Sequence, residues 1–141
     1  MGDKLLSLSF ANNIVVLKKL GINPVVVHGG GPQIGAMLDK LKIKSSFIDG
    51  LRVTSEEIVD IVEMVLAGSI NKEIVAKINS SGGLAVGISG KDANLILAKK
   101  FIKNKKDPNS NIEKALDIGF VGEPVKINIS IIDTLSSAGS I

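Results

Sequence analysis

The chain has 141 residues, 45% of them hydrophobic, which is enough for a single domain with a core of its own. Its 17 basic and 14 acidic residues leave a net charge of +3, but aromatic residues make up only 3%. We therefore expect no nucleic-acid surface, which would need a basic stripe with stacking aromatics. The absence of cysteine excludes disulfides and thiolate zinc sites, and it fits a cytoplasmic protein. No apolar run approaches the roughly 18 residues of a membrane span, so no membrane partner is expected.

The first predicted elements are a helix, a short buried strand and a second helix. Apolar residues recur with helical spacing over residues 5–20, and Gly21 follows where a helix would stop. Residues 25–27 are three valines, which is typical of a strand buried on both faces of a parallel sheet. Pro32 then opens a second helix. Its inward face is predicted to carry Ile34, Met37, Leu38 and Leu41.

Three consecutive glycines, Gly29, Gly30 and Gly31, connect the valine strand to this second helix. A glycine-rich turn can form simply because the chain must reverse tightly. Each extra glycine, however, costs about 0.5–1 kcal/mol of backbone entropy relative to alanine, so three in a row favour a functional role. Free backbone N–H groups and the positive end of the helix dipole predict an anion site. The dinucleotide-binding fingerprint does not fit, because its third glycine would fall on Ile34.

Residues 43–54 are predicted to form a short hairpin with its turn at Asp49-Gly50. Arg52, the only arginine in the chain, follows this turn. Its planar guanidinium can hold a carboxylate or phosphate through two hydrogen bonds. A lone arginine is also commonly a solvated edge residue or a partner in a structural ion pair. Its position one element beyond the glycine loop would let it reach the same cleft.

One long helix is predicted after the hairpin, from Thr54 to about Ser80. Thr54 and Glu57 match a capping box, and apolar residues then keep a helical period past Gly68. We expect another element to pack against the bare backbone at Gly68. The wide apolar face could serve a subunit contact or plain core packing equally well.

The second half of the chain is predicted to alternate strands and loops before a last helix. In order, these are a buried strand at 84–89, a strand emerging to solvent at 93–102, an exposed loop at 103–111, bent strands of an antiparallel hairpin at 118–127, and a helix at 130–138. Ser130 is expected to cap that last helix and Gly139 to end it. The order of elements predicts an α/β fold, a three-layer sandwich with a mainly parallel central sheet.

A second candidate phosphate-binding segment is Gly90-Lys91-Asp92, which superficially matches the end of a phosphate loop. That pattern requires a glycine at Ala85 and a serine or threonine at Asp92, so it does not fit. The anion at the first glycine loop must therefore be held by another scheme.

Five motifs in this order resemble those of the N-acetyl-L-glutamate kinases, within the amino-acid kinase family. They are Asn23 to Gly35 with the triple glycine, Gly50-Leu51-Arg52-Val53-Thr54, Ala67-Gly68 with Asn71-Lys72, Ser89-Gly90-Lys91-Asp92, and Gly119-Phe120-Val121-Gly122-Glu123. The resemblance covers nearly the whole chain. It implies transfer of a phosphoryl group from ATP to the side-chain carboxylate of N-acetyl-L-glutamate in arginine biosynthesis.

The resemblance also implies roles for single residues. The glycine loop, carried over here to Gly29, Gly30 and Gly31, would bind the carboxyl that is phosphorylated and the adjacent phosphoryl group. Arg52 would hold the α-carboxylate of the substrate. Backbone donors suit a charge that spreads over several oxygens during transfer, and a planar fork suits a fixed carboxylate.

Parts of the family pattern are expected to lie outside the chain. Family members begin with a strand that carries a catalytic lysine, and Met1-Gly2-Asp3 corresponds to positions just after it. The later half would supply the nucleotide site and the second catalytic lysine. Residues 1–141 are thus expected to be a single partial domain, the substrate-binding lobe, with no catalytic residue, no metal ligand and no site for the nucleotide base. ATP with Mg²⁺ would be the co-substrate of the intact enzyme, and the chain by itself is expected to be inactive.

Two alternatives remain open. The chain could belong to a kinase for another acidic substrate of the same family, or it could be a non-catalytic binding or assembly module. In either case the helix around Gly68 is expected to mediate a homodimer or higher oligomer.

Overall fold

The computed structural model describes residues 4–106 and 113–141. Helices and strands are mixed along the chain, and the fold is α/β, as predicted. The predicted loop at 103–111 lies outside the described residues from position 107 onward. Across the two described ranges, no helix combines the length and the apolar character that crossing a bilayer requires.

The helices agree with the periodicity of the sequence. They are α1 (Lys4–Lys19), α2 (Gly31–Lys40), α3 (Glu56–Glu63), α4 (Asn71–Ser80) and α5 (Ser130–Ser137). A π-helical segment, Met64–Ile70, joins α3 to α4, so the prediction of one long helix is confirmed. Gly21 and Gly139, where helices were predicted to end, and Gly82, which follows α4, all have positive φ, the conformation that favours glycine after a helix.

Two predicted caps are wrong by one residue. The N-cap of α3 is Ser55, whose hydroxyl accepts from the Ile58 N–H at 3.3 Å. Thr54 instead donates its hydroxyl to the Arg52 carbonyl at 2.9 Å, which closes the hairpin. Ser130 is the first residue of α5 and not its cap. Adjacent hydroxyl residues such as Thr54 and Ser55 can both fill a cap, and tertiary contacts decide between them.

The apolar face of α2 is only half covered. Ile34 and Leu38 are buried, whereas Met37 and Leu41 are 38% and 51% exposed, so their predicted inward position is wrong for the described residues. The helix packs mainly on α3 and the π segment. These two neighbours cover only part of the apolar face of α2 and leave Met37 and Leu41 exposed.

The strands form three antiparallel pairs. They are β1 (Phe47–Ile48) with β2 (Leu51–Arg52), β3 (Ile96–Lys100) with β6 (Gly122–Ile127), and β4 (Lys103–Lys106) with β5 (Glu113–Leu116). The hairpin at Asp49-Gly50 is confirmed. Of the bent strands predicted at 118–127, one forms in the described residues, at 122–127, and its antiparallel partner is β3, with a register shift between Leu97 and Ala98. The predicted loop is wrong at Lys103–Lys106, which is strand β4.

The strands predicted at 25–27 and 84–89 do not form among the described residues. Their backbones have no ladder of hydrogen bonds there, although their apolar sequences suit a buried strand. Periodicity can identify a segment able to enter a sheet, but a strand also needs a neighbour within hydrogen-bonding distance.

Among residues 4–106 and 113–141, parallel pairing is limited to two isolated contacts. Thr54 and Gly119 form an isolated parallel bridge. The Ile141 N–H donates to the Leu84 carbonyl at 2.8 Å, and the Val86 N–H donates to the Ile141 carbonyl at 2.9 Å. One residue that bonds on both sides of Ala85 in this way has the pattern of a parallel pair.

The core consists of two buried clusters on either side of the long helix. The first contains Ala11, Ile14, Val15, Ile78 and Ala85, and the second contains Ile34, Leu38, Ile58, Ile61 and Val65. The α4 end of the long helix therefore serves one cluster and the α3 end serves the other. The glycine loop lies at the start of α2, next to Leu66 and Ile70 of the π segment.

Candidate functional site

The glycine loop has free backbone donors where the sequence predicts an anion site. The N–H groups of Gly29, Gly30 and Gly31 donate to no acceptor among the described residues. Gly30 caps α2, and its carbonyl accepts from the Ile34 N–H at 2.9 Å. Pro32 occupies the first turn, where its missing N–H costs nothing. The loop thus presents unpaired donors at the positive end of a ten-residue helix.

Gly30 lies close against the π segment, a contact that the sequence does not reveal. A Cβ at this position would lie 2.3 Å from Ile70 Cδ1 and 2.8 Å from Leu66 Cδ2, both on the π segment. At Gly29 and Gly31 a Cβ would meet no atom of the described residues within 4 Å. The middle glycine therefore allows the loop to pack closely on the π segment, and the outer two leave space beside the loop.

Arg52 is held by two neighbours in the hairpin. It pairs directly with Phe47 across the turn, and its guanidinium carbon lies 4.5 Å from the centre of the Phe47 ring. Its Nη1 also donates to the Ser45 hydroxyl. A guanidinium stacked by one face on an aromatic ring keeps its edge available for a planar anion.

Gly31 and Arg52 line the same open cleft, of about 810 Å³. Lys42 and Lys44 line it as well, with Asp39 as its acidic residue. Three basic groups against one acidic group make the cleft cationic. The structure therefore brings together the last glycine of the loop and the arginine of the hairpin, in a setting suited to a small anion.

Gly29 and Gly30 do not line that cleft. Next to them, His28 opens into a second cavity of about 450 Å³, bordered by residues 24–28, 85–90 and α5. The glycine loop thus separates two cavities. The second cavity is largely apolar, and at its edge Val25 and Val27 are 61% and 91% exposed.

The Ser89 to Asp92 segment, on the wall of the second cavity, forms a tight polar loop. The Asp92 carboxylate accepts from the Ser89 N–H at 2.6 Å and from the Ser89 hydroxyl at 2.9 Å. The backbone bond first, and the hydroxyl bond second, lower the pKa of Asp92 below its ordinary value. Lys91 forms an ion pair with Glu63. This loop is thus fastened to itself and to the end of α3.

Sequence reasoning did not assign Phe47, His28 or Asn71 a role. Phe47 could have been found, because a two-residue turn at Asp49-Gly50 places positions 47 and 52 opposite each other. Asn71 is different. Its amide lies 3.5 Å from His28 Nε2 and 3.4 Å from the Ile88 carbonyl, contacts between segments far apart in the sequence.

The fold and the cleft together describe an α/β protein with a cationic cleft beside a glycine loop. The sequence pattern of the amino acid kinase family matches residues 2–141, and the chain belongs to this family. It is similar to an acetylglutamate kinase of Rhodospirillum centenum, at 62% identity over 98% of this chain and 45% of that protein. For an acetylglutamate kinase of Rhizorhabdus wittichii the identity is 59%, over 100% of this chain and 47% of that one. The chain thus spans about half the length of the curated relatives it matches.

Solved structures give the same fold at lower identity. The protein smu.665 from Streptococcus mutans superposes with a TM-score of 0.75 at 23% identity, over 93% of this chain and 49% of that one. An N-acetylglutamate synthase from Neisseria gonorrhoeae, solved with coenzyme A and N-acetyl-glutamate, gives a TM-score of 0.70 at 21% identity, over 99% and 29% of the two chains. The amino-acid-kinase-like α/β architecture is confirmed by these likenesses, which concern the fold alone.

Proposed function

We propose that the intact protein containing this chain transfers a phosphoryl group from ATP to the side-chain carboxylate of N-acetyl-L-glutamate, as a step of arginine biosynthesis. The identity of 62% with an acetylglutamate kinase over 98% of the chain carries this proposal. The shared cleft of Gly31 and Arg52 supports it, because a dianionic substrate needs two separate anion-binding groups.

Within this proposal the two groups divide the substrate between them. Arg52, braced by Phe47 and Ser45, binds the α-carboxylate through the free edge of its guanidinium. The unpaired N–H groups of Gly29, Gly30 and Gly31 bind the side-chain carboxyl and the phosphoryl group that joins it. Charge spreads over the oxygens of a transferring phosphoryl group, and preorganised backbone donors stabilise it without reorganisation.

The remaining chemistry is proposed to come from outside residues 1–141. ATP would be the phosphoryl donor, with Mg²⁺ on its phosphates. The described residues contain no cluster of three His, Asp or Glu able to hold a metal ion. Both catalytic lysines and the site for the nucleotide base would belong to other parts of the intact protein. The exposed side chains of Val25 and Val27 support a further element packed over them in that protein, because apolar side chains of this kind are normally covered.

Calorimetry of N-acetyl-L-glutamate binding to the intact protein tests the proposal. We expect saturable binding that Arg52→Ala weakens at least about tenfold, since a charge-assisted bidentate pair is lost. Arg52→Lys keeps the charge but not the fork, so it should recover only part of the affinity. Lys44→Ala is the matched control, because it removes one positive charge from the same cleft but no guanidinium. Tighter binding of aspartate, glutamate or carbamate than of N-acetyl-L-glutamate would assign the protein to another kinase of the family.

The isolated 141-residue chain should show no ATP-dependent phosphorylation of N-acetyl-L-glutamate, because phosphoryl transfer depends on positioned cations that it is proposed to lack. A coupled assay for ADP release measures this. Turnover above the rate without enzyme would show that the chain carries its own replacements for the expected lysines. Binding without turnover by the intact protein would instead favour a non-catalytic module.

The intact protein is further proposed to be a cytoplasmic homodimer or higher oligomer, assembled through the helix around Gly68. Gly68 is exposed, and a Cβ there would meet nothing within 4 Å among the described residues. A bare helical backbone in the open can be approached closely by a second copy.

A further inference from the structure

Asn71 occupies an unusual position for a polar side chain. It is only 9% exposed, at the junction of the π segment and α4, and its Oδ1 has no hydrogen-bond partner in the described part of the chain. A buried amide oxygen without a partner costs free energy, so the residue calls for an explanation. The absence of a side chain at Gly87 makes room for the Asn71 amide, since a Cβ at position 87 would lie 1.8 Å from Asn71 Oδ1.

The orientation of the Asn71 amide follows from its acceptors. Nδ2 lies 3.4 Å from the Ile88 carbonyl, which can only accept. Turning the amide over would place two oxygens against each other, so the NH₂ group must face Ile88. The same NH₂ group lies 3.5 Å from His28 Nε2. That ring nitrogen must then be the acceptor.

These contacts assign one tautomer to His28. If Nε2 accepts, the proton of the neutral ring is on Nδ1, which lies 3.2 Å from the Gly29 carbonyl. Both contacts of the ring thus require the same tautomer. His28 holds the carbonyl of the first residue of the glycine loop.

The peptide plane carries this constraint to the next donor. The Gly29 carbonyl and the Gly30 N–H belong to one planar trans peptide and point in opposite directions. Holding the oxygen on His28 therefore sets the direction of an N–H that has no other partner among the described residues.

We propose that Asn71 is a positioning residue for the glycine loop: through His28 it holds the Gly29 carbonyl and so fixes the direction of the Gly30 N–H in the loop proposed to bind the anion. The identity of that anion rests on the proposed function. The relay from Ile88 through Asn71 and His28 to Gly29 does not, since it is present without any ligand.

The first test measures the tautomer of His28 in the intact protein, from the ¹⁵N chemical shifts of the imidazole on the alkaline plateau of its titration. The His28 signal is identified by its loss in His28→Gln. We expect the Nδ1–H tautomer in the unsubstituted protein. Asn71→Asp presents only acceptors to the ring and should convert it to the Nε2–H tautomer.

Asn79→Ala is the matched control for this test. Asn79 also lies on α4 and also bonds the segment beyond it, since its Oδ1 accepts from the Ala85 N–H at 2.7 Å, but it does not contact His28. This variant should keep the Nδ1–H tautomer. An Nε2–H ring in the unsubstituted protein, or an unchanged tautomer in folded Asn71→Asp, would overturn the proposal. If Asn71→Asp does not fold, Asn71→Ser takes its place: its shorter side chain ends before the ring, so the excess of the Nδ1–H tautomer should fall.

The second test is kinetic. Misaiming one donor to the reacting group should lower kcat by about ten- to a hundredfold in Asn71→Ser, with KM for N-acetyl-L-glutamate changed less than about threefold. Asn79→Ala should leave both within about twofold. An unchanged kcat in Asn71→Ser, in an enzyme that turns over, overturns the positioning role. A protein that phosphorylates no N-acetyl-L-glutamate at all overturns the proposed function instead, while the tautomer measurement still decides on the relay.

Discussion

Phe47 and Arg52 face each other across a two-residue turn, with the guanidinium of Arg52 stacked 4.5 Å from the centre of the Phe47 ring. The ring is 59% exposed and packs into neither core cluster, so burial does not explain its place. Its contact with Arg52 does. The hairpin thus fixes the direction of the only arginine in the chain before any anion arrives.

Substitution of Phe47 should therefore act through Arg52. Phe47→Leu should weaken binding of N-acetyl-L-glutamate by about two- to fivefold, the value of an exposed cation–π contact. In an Arg52→Met background the same change should have no further effect. Calorimetry on the two single variants and the double variant gives the coupling.

Phe120→Leu is the matched control, since Phe120 is 60% exposed and does not line the cleft. It should leave affinity unchanged. Equal losses from Phe47→Leu with and without Arg52 would show that the ring contacts the ligand independently.

Gly30→Ala should destabilise the protein, because the new methyl group would lie 2.3 Å from Ile70 Cδ1. The clashing atoms are the ends of flexible side chains that can rotate away, so the expected loss of unfolding free energy is at the low end for overpacked sites, about 1 kcal/mol. Gly29→Ala adds its methyl group in open space and should cost less than Gly30→Ala. Ile70→Val removes the clashing atom and should restore part of the loss in the Gly30→Ala background. Urea unfolding measures all four proteins, and failure of Ile70→Val to compensate would argue against close packing of the loop on the π segment.

Asp92 should contribute a pH-dependent part of the stability. The pKa of its carboxyl is lowered by the N–H and hydroxyl of Ser89, so the folded state binds the proton more weakly than the unfolded state. The stabilisation is therefore present above the ordinary value near 3.8 and is lost as the pH falls through the lowered pKa. Urea unfolding between pH 7 and pH 2.5 should show a difference between the native protein and Asp92→Asn that shrinks towards the acid end. Ser89→Ala should reduce the same difference in part; a difference independent of pH would contradict the assignment.

Gly68 gives a test of assembly. Where nothing covers this position, Gly68→Ala should stabilise the helix by about 0.5–1 kcal/mol. If a second copy packs there, Gly68→Leu should shift the intact protein towards monomer in analytical ultracentrifugation. Ala36→Leu, which also creates a leucine on an exposed helical position, here in α2, should leave the mass unchanged. A dimer retained in Gly68→Leu would place the subunit contact elsewhere.

The helices could be predicted from the sequence because their hydrogen bonds are local and their apolar period is visible in a short window. The hairpin was predictable for the same reason, since Asp49-Gly50 determines its own register. Residues 25–27 and 84–89 were misassigned because a strand depends on a distant partner. No local pattern distinguishes a segment that could pair from one that does.

The residues of the candidate site likewise divide into those that the sequence reveals and those whose role depends on distant contacts. Gly29 to Gly31 and Arg52 stand out as residue types, and the structure places Gly31 and Arg52 on one cleft. Asn71 belongs to a recognisable motif, but its role cannot be predicted from its neighbours, since its contacts reach His28 and Ile88, 43 and 17 positions away. The steric reason for Gly30 is equally hidden, because it depends on the side chains of Leu66 and Ile70.

The π segment Met64–Ile70 also determines how one helix can face two cores. A π turn contains more residues than an α turn, so the residues after it are rotated relative to a regular continuation. This rotation directs Ile78 of α4 to one cluster while Ile58 and Ile61 of α3 face the other. Deleting a single residue between 64 and 70 would therefore alter the pitch of the helix and turn Asn71 out of reach of His28. The change of pitch in the middle of this helix thus sets the position of Asn71 relative to the glycine loop.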